Sequence, residues 1–236
     1  MSTSIRSATP VCLVICWPRS VASSAGPAQL LRRLVEDHLP ATWGIETAEQ
    51  AEALAAPQRF VEAALLARKT KASPPGEVIA DGLQRLAAAG LDVATLCLDA
   101  ELPRGQIERQ LAQQGVRGMV TESAASDSAS VRQLPFGIWQ LTPQGHLPSR
   151  RRWFRQVGGI STDFFSAAAG PKIATINLAA VGLTSSNSWR ELEKAIDQAA
   201  TASDRGQIRI ATVADLTAEL TLQSAAKPQR SILRAA

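Results

Sequence analysis

Histidine and cysteine are scarce in these 236 residues: two of the first, His38 and His146, and three of the second, Cys12, Cys16 and Cys97. No two cysteines form a CxxC pair, and the two histidines are far apart in sequence. That excludes zinc-ligand spacing of the structural kind. The thiols fall in apolar, strand-like runs, where buried and reduced is the default state; this implies a reducing compartment. No signal-peptide pattern opens the chain, because the apolar stretch at Cys12–Cys16 is short and Pro18 follows it. No window approaches a membrane span. GxGxxG does not follow the first apolar run and GxxxxGK(S/T) occurs nowhere, which removes the best support for dinucleotide and nucleotide binding. Together these absences predict a cytoplasmic protein with no cofactor, no membrane association and no nucleic-acid partner.

What is present is core-forming material. The hydrophobic fraction is 45% and the charged fraction 19%, with a formal net charge of +4. Such a chain folds, and its length suits one large domain or two small ones. The densest basic run is Arg150, Arg151 and Arg152, with Arg155 close behind and Trp153 and Phe154 inside it. Arginines interleaved with aromatics can contact phosphates. The favoured reading is a solvated loop anchored by two aromatics.

A rhythm runs along the sequence. Val11–Cys16 is a continuous apolar run of strand length, suited to a strand buried on both faces. Leu30, Leu31, Leu34, Val35 and Leu39 return at helical spacing until Pro40. Ala41–Glu46 reads as a second strand. Thr47 and Gln50 form a capping box for a short helix over 48–55. Phe60–Ala67 is a third strand candidate whose alanines and leucines suit a helix as well. Helices at Glu77–Ala89 and Gln106–Gln114 stop at Gly90 and Gly115, with strands at Asp92–Leu98 and Val116–Val120 after them. Residues 123–134 read as loop, Gly137–Leu141 as a short strand, and 143–171 as irregular with a short helix near Asp163–Ala169. Lys172–Leu178 is a strand. Ser188 and Glu191 mark a helix start. Gln207–Thr212 and Val213–Leu220 close the chain as strand and helix. Repeated helix, glycine and short strand argues for βα units with parallel crossovers. The expected fold is α/β, a (β/α)7-8 barrel of mostly parallel strands of the glycoside hydrolase/deacetylase type. The expected organisation is a frayed N-terminus over 1–9, a single domain over 10–221 and a polar tail over 222–236.

Several segments carry a resemblance in combination. They are Leu39-Pro40-Ala41-Thr42-Trp43, Phe60–Lys69, Gly82–Leu86 with Ala89–Val93, and Gly206–Leu220 with Ile210–Leu216 inside it. Their order resembles the polysaccharide deacetylase family, the NodB-type barrel, over roughly residues 10–221. The resemblance implies removal of acetyl groups from N-acetylated sugars with a divalent metal. It also implies an Asp or Asp pair ending the first strand, two histidines near the third, and a later histidine as general acid. This sequence departs at each place. It has Cys16-Trp17-Pro18 at the first, Glu62, Leu65, Leu66, Arg68 and Lys69 around the second, and Asn177-Leu178-Ala179-Ala180 at the third. His38 stands at a helix end, as a C-terminal cap or surface residue. His146 stands in a Gly-Pro loop, expected to be solvated.

In a βα barrel the strand C-termini line the mouth. The candidate ligand-binding residues are therefore Trp17, Glu46, Arg68, Asp99, Glu122 and Asn177, with Lys69 and Thr142 beside them. Glu46, Asp99 and Glu122 could gather around a metal or a water. Trp17, Trp43 and Trp139 offer faces for sugar rings, although tryptophan more often packs in cores. Cys16 and Cys97 are nucleophile types that need a nearby base, and the sequence supplies none within evident reach. The expectation is a catalytically degenerate, deacetylase-like domain, hydrolase-like in fold, a pseudoenzyme that binds a carbohydrate or small molecule in the mouth or a protein partner, or that self-associates. One alternative is an active hydrolase of C–N bonds in N-acetylated sugars with a rebuilt site. Another is an unrelated α/β scaffold or binder of phosphorylated ligands.

Overall fold

The apolar run Val11–Ile15 lies inside β1 (Thr9–Trp17) and is buried on both faces in the computed structural model. The structure describes residues 8–22, 24–54, 60–68, 74–98, 106–121, 130–147, 150–152, 155–157, 160, 162–168, 170–184 and 186–226. After β1 come α1 (Ala25–Glu36), β2 (Ala41–Ile45), α2 (Ala48–Leu54), β3 (Val61–Ala67), α3 (Pro75–Ala88), β4 (Thr95–Leu98), α4 (Gln106–Gln113) and β5 (Gly118–Thr121). Next are the short strands β6 (Val131–Gln133), β7 (Trp139–Leu141), β8 (Gly145–Leu147), β9 (Arg150–Arg152) and β10 (Arg155–Val157). The chain continues through β11 (Lys172–Asn177), α5 (Leu178–Thr184), α6 (Ser186–Asp204), β12 (Ile208–Ala211) and α7 (Val213–Ala226).

Glycine stops explain the rhythm. Leu91 N–H bonds Leu86 C=O at 3.0 Å and Gly90 N–H bonds Ala87 C=O at 2.9 Å, with Gly90 at φ +81°. This left-handed cap ends α3 and turns the chain toward β4. At the end of α1 the same geometry falls on His38, at φ 55°, with Leu39 N–H on Leu34 C=O at 2.8 Å. His38 is thus an exposed C-terminal cap residue, its ring against Phe60.

Ten of the described strands form one sheet, nine of them in the order β6-β7-β5-β4-β3-β2-β1-β11-β8 and the tenth, β12, joined to β1 off that path. Only the β6–β7 pair in it is antiparallel. β1 is its hub. β11 pairs along one edge, while β12 and β2 share the other, β12 opposite Thr9–Cys12 and β2 opposite Val14–Trp17. The sheet is curled and open. A Cβ on Gly44 of β2 would lie 3.2 Å from the Cys97 Cβ of β4, two strands away. On a flat sheet that separation would be about 9.6 Å. No pairing joins β6 to β8 among the described residues.

The curl divides the apolar residues. Leu13, Ile15, Trp17, Trp43 and Ile45 face the helices, in the larger cluster with Leu30, Leu34 and Leu192. Cys12, Val14, Ala64, Leu66, Cys97 and Val120 face inward. α7 enters that interior from β12: Val213 and Leu216 belong to the inner cluster, and Leu220 packs against it.

Some expectations give way. Residues 143–171 hold β8, the β9–β10 hairpin and a 3-10 turn at Thr162–Phe165, and β6 falls inside the expected loop at 123–134. Ser188 and Glu191 lie within α6, not at its start. A separate helix, α5, starts directly after β11, where Asn177 Oδ1 accepts the N–H groups of Ala179 and Ala180. α7 continues past Leu220 to Ala226.

Candidate functional site

All parallel strands run the same way, so the C-terminal ends of β1, β2, β3 and β11 meet on one rim. Glu46, just after β2, is held from three sides. Its Oε2 accepts the Arg19 N–H at 2.9 Å, its Oε1 lies 3.4 Å from Arg68 Nε, and its own N–H donates to Gln50 Oε1 at 2.9 Å. The Arg68 contact is an ion pair without hydrogen-bond geometry, since Oε1 makes no hydrogen bond. Gln50 also accepts the Thr47 N–H at 3.0 Å and donates to Trp17 C=O at 2.8 Å. The expected capping box is real, and it ties the ends of β1 and β2 together.

Glu46 and Arg68 are therefore brought together. Asn177 sits opposite Cys16 in the β1–β11 register, its amide oxygen occupied in starting α5. Asp99, Glu122 and Lys69 lie outside the described residues, as do Trp153 and Phe154. Arg150–Arg152 is placed as backbone in the β9–β10 hairpin.

Trp17 and Trp43 turn away from the mouth. Trp17 is 5% exposed on the helix side, 5.9 Å from Trp43 in an edge-to-face contact, its Nε1–H toward Val21 C=O. Trp43 is wholly buried in the same cluster. Trp139 faces inward but meets α7, donating to Thr221 Oγ1 at 3.0 Å. Cys16, one residue before Trp17, is the inward and partly accessible side chain. Strand alternation makes this unavoidable: if one of the two faces the helices, the other faces the interior.

His146 is the residue that sequence reasoning misplaced. It stands on β8, opposite Thr175 of β11, with Nδ1 2.7 Å from Thr175 Oγ1. Leu147 packs on the helix side, so His146 faces inward. The three residues of Gly145–Leu147 are too few to show a strand by periodicity.

The interior below is apolar, with buried thiols and the carboxyl of Glu62. Burial pushes the Cys12 and Cys97 thiols up, with nearby Cys16 and Glu62 adding to the effect at Cys97. Glu62 lies on β3 near the barrel floor. Its carboxyl head is buried although the residue as a whole is half-buried. Burial raises its pKa above the ordinary 4.5, and the hydrogen bonds from the Thr42 hydroxyl and the Ala214 N–H oppose the rise.

Comparison with solved structures follows this geometry. A protein carrying the name polysaccharide deacetylase, from Mycobacterium smegmatis, superposes with a TM-score of 0.60 at 14% identity, covering 94% of this chain and 94% of its own. The chain has the deacetylase-type fold. A second bearer of that name, from Pseudomonas aeruginosa PAO1, gives a TM-score of 0.60 at 14% identity, over 91% of each chain. A 4-alpha-glucanotransferase from Thermococcus litoralis gives 0.56 at 12% identity, covering 89% of this chain and 38% of its own. At these identities the likeness is one of fold. No family model matches the sequence, and no curated protein does.

A divalent metal is what the resemblance implies, and the donors present do not fit one. Among the described residues no three His, Cys, Asp or Glu side chains gather as a ligand set. The β1 end offers a thiol, β3 an arginine already paired to Glu46, and β11 an amide already capping α5. Among the described residues no helix is long and apolar enough to cross a membrane. A cleft of about 410 Å³ between α1 and α6, against Leu30, Trp189 and Leu192, lies on the helix-covered outer side.

Proposed function

We propose that this chain is a deacetylase-type barrel that binds a carbohydrate or similar small molecule at its mouth, without the metal chemistry of the family it resembles. The observation that carries this reading is the rim itself. Cys16, the Glu46–Arg68 pair and Asn177 occupy the strand ends where that family's metal donors belong. Polar groups on a concave rim over an apolar interior suit small-molecule recognition.

Titration of the purified protein with Zn²⁺, Co²⁺ and Mn²⁺ tests the metal-free part. The expected result is no stoichiometric binding; stoichiometric binding abolished by Glu46→Gln overturns it. Calorimetric titration with N-acetylated oligosaccharides tests the ligand. Saturable binding weakened by Arg68→Ala is expected, and heat without saturation counts against a carbohydrate site. The second reading is a rebuilt site that hydrolyses C–N bonds in N-acetylated sugars. The inward placement of His146 favours it.

A further inference from the structure

We propose that the cleft between α1 and α6 binds a small organic ammonium ion against the Trp189 indole. This site lies on the outer, helix-covered side and is separate from the rim.

The two helices frame it. α1 follows β1, and α6 follows β11 through α5. β1 and β11 are neighbouring parallel strands, so the helices run side by side in one direction. They meet near their starts, where a Cβ added to Gly26 would stand 3.5 Å from the Trp189 ring. They meet again about two turns on, where Arg33 Nη2 bridges to Asp197 Oδ1 at 2.9 Å. Between these contacts the cleft of about 410 Å³ opens over a floor of Leu30, Leu192 and Ile196, all buried. That volume falls in the range of small-molecule sites, roughly 300–1,000 Å³.

Charge selects the occupant. Arg33 is already engaged by Asp37 at 2.6 Å and by Asp197 at 2.9 Å. Of the remaining lining groups, Glu36 and Glu193 face a single guanidinium, Arg32. Neither glutamate is in a salt bridge among the described residues. Glu36, Asp37, Glu193 and Asp197 thus outnumber Arg32 and Arg33 by two negative charges. Glu36 also stands in the last turn of α1, where the helix dipole adds negative potential.

The indole supplies the second attraction. Trp189 is half-buried, and its Nε1–H donates to Glu193 Oε1 at 3.1 Å. That bond orients the ring and fixes a carboxylate at its edge. A cation is drawn to the negative face of an indole, and apolar groups on an ammonium nitrogen suit the Leu–Ile floor. A phosphorylated ligand would meet repulsion here. A bare metal ion lacks donors, since no three ligand-type side chains gather among the described residues. Arg33 competes with the ligand for Asp197.

Choline and its uncharged carbon analogue, with tert-butyl in place of trimethylammonium, share a shape and differ in charge; they are the probes. In proton–nitrogen correlation spectra, choline is expected to shift the Trp189 indole N–H saturably, the signal being identified by its loss in Trp189→Phe. Choline should bind at least about fivefold more tightly than the analogue. The signals of Trp17 and Trp43, buried elsewhere, should stay in place. Glu193→Gln and Glu36→Gln should each weaken choline binding about threefold. Arg33→Gln should strengthen it, because Asp197 is released to face the ligand, and loss of an exposed ion pair leaves the melting temperature near wild type. Equal affinity for the two probes, a shift that does not saturate, or weaker binding in Arg33→Gln overturns the proposal. The probes are not sugars and no rim residue is changed, so failure here and failure of carbohydrate binding at the mouth are read separately.

Discussion

Thr42 Oγ1 donates to Glu62 Oε2 at 2.7 Å, and through that contact the barrel floor holds its last helix. The Val213 N–H donates to Thr42 Oγ1 at 2.9 Å and the Ala214 N–H to Glu62 Oε2 at 3.0 Å. Thr212 and Asp215 complete the cap, Asp215 N–H on Thr212 Oγ1 and Thr212 N–H on Asp215 Oδ2. The leading donors of α7 are thus satisfied by two strands and its own capping box.

Glu62→Gln should stabilise the protein at neutral pH. Cys12, Cys97 and Asp215 surround the carboxyl, and none is a cation. Its folded pKa is raised, so the folded state holds a proton the unfolded state releases. Stability from this group is full below about 4.5 and falls as pH rises through the higher folded value. Glutamine keeps an acceptor for Thr42 and Ala214 and removes the titration. Thermal melts from pH 4 to 8 should show a variant advantage on the order of 1 kcal/mol at the alkaline end that shrinks toward acid. A variant that melts lower at every pH would count against this account.

Gly118→Ala should loosen α7. An added Cβ would stand 2.8 Å from Val213 Cγ1 and 3.0 Å from Thr95 Oγ1. Overpacking of this kind costs about 1–3 kcal/mol. Hydrogen exchange should quicken in α7 before it does in α1 or α6; uniform protection in the variant would show that the interface yields without strain.

Gln50→Ala should cost about 1–2 kcal/mol, because one side chain accepts the N–H groups of Glu46 and Thr47 and donates to Trp17 C=O. Urea titration should show a lower midpoint at unchanged slope. A midpoint equal to wild type would mean that water replaces all three bonds.

Trp17→Phe should leave carbohydrate affinity intact, whereas Arg68→Ala should weaken it. Trp17 packs on Trp43 beneath the helices, while Arg68 is exposed on the rim. Trp17→Ala should cost about 3–5 kcal/mol through the cavity it leaves. An affinity loss in Trp17→Phe at wild-type stability would put the indole in the binding site.

The legible parts of the fold were those with a local cause. Val11–Cys16 showed β1 by unbroken apolarity, and Gly90 and Gly115 marked helix ends through left-handed caps. Thr47 and Gln50 foretold a capping box that the folded chain contains. Glu46 and Arg68 were expected at strand ends and are paired there. The short strands β6 and β8 were illegible because three residues carry no period.

The sequence by itself determined the alternation of strands and helices, because local propensity and helix-stop chemistry act over a few residues. It also determined the shortage of imidazole donors, two histidines in the whole chain, which no folding can supply. Tertiary structure alone decided which side of β1 looks inward, placing Cys16 in the mouth and Trp17 against the helices. A strand buried on both faces has no polar alternation to reveal its orientation. It also decided that His146 belongs to the interior, since that depends on β8 pairing with β11, a contact across 29 residues of chain.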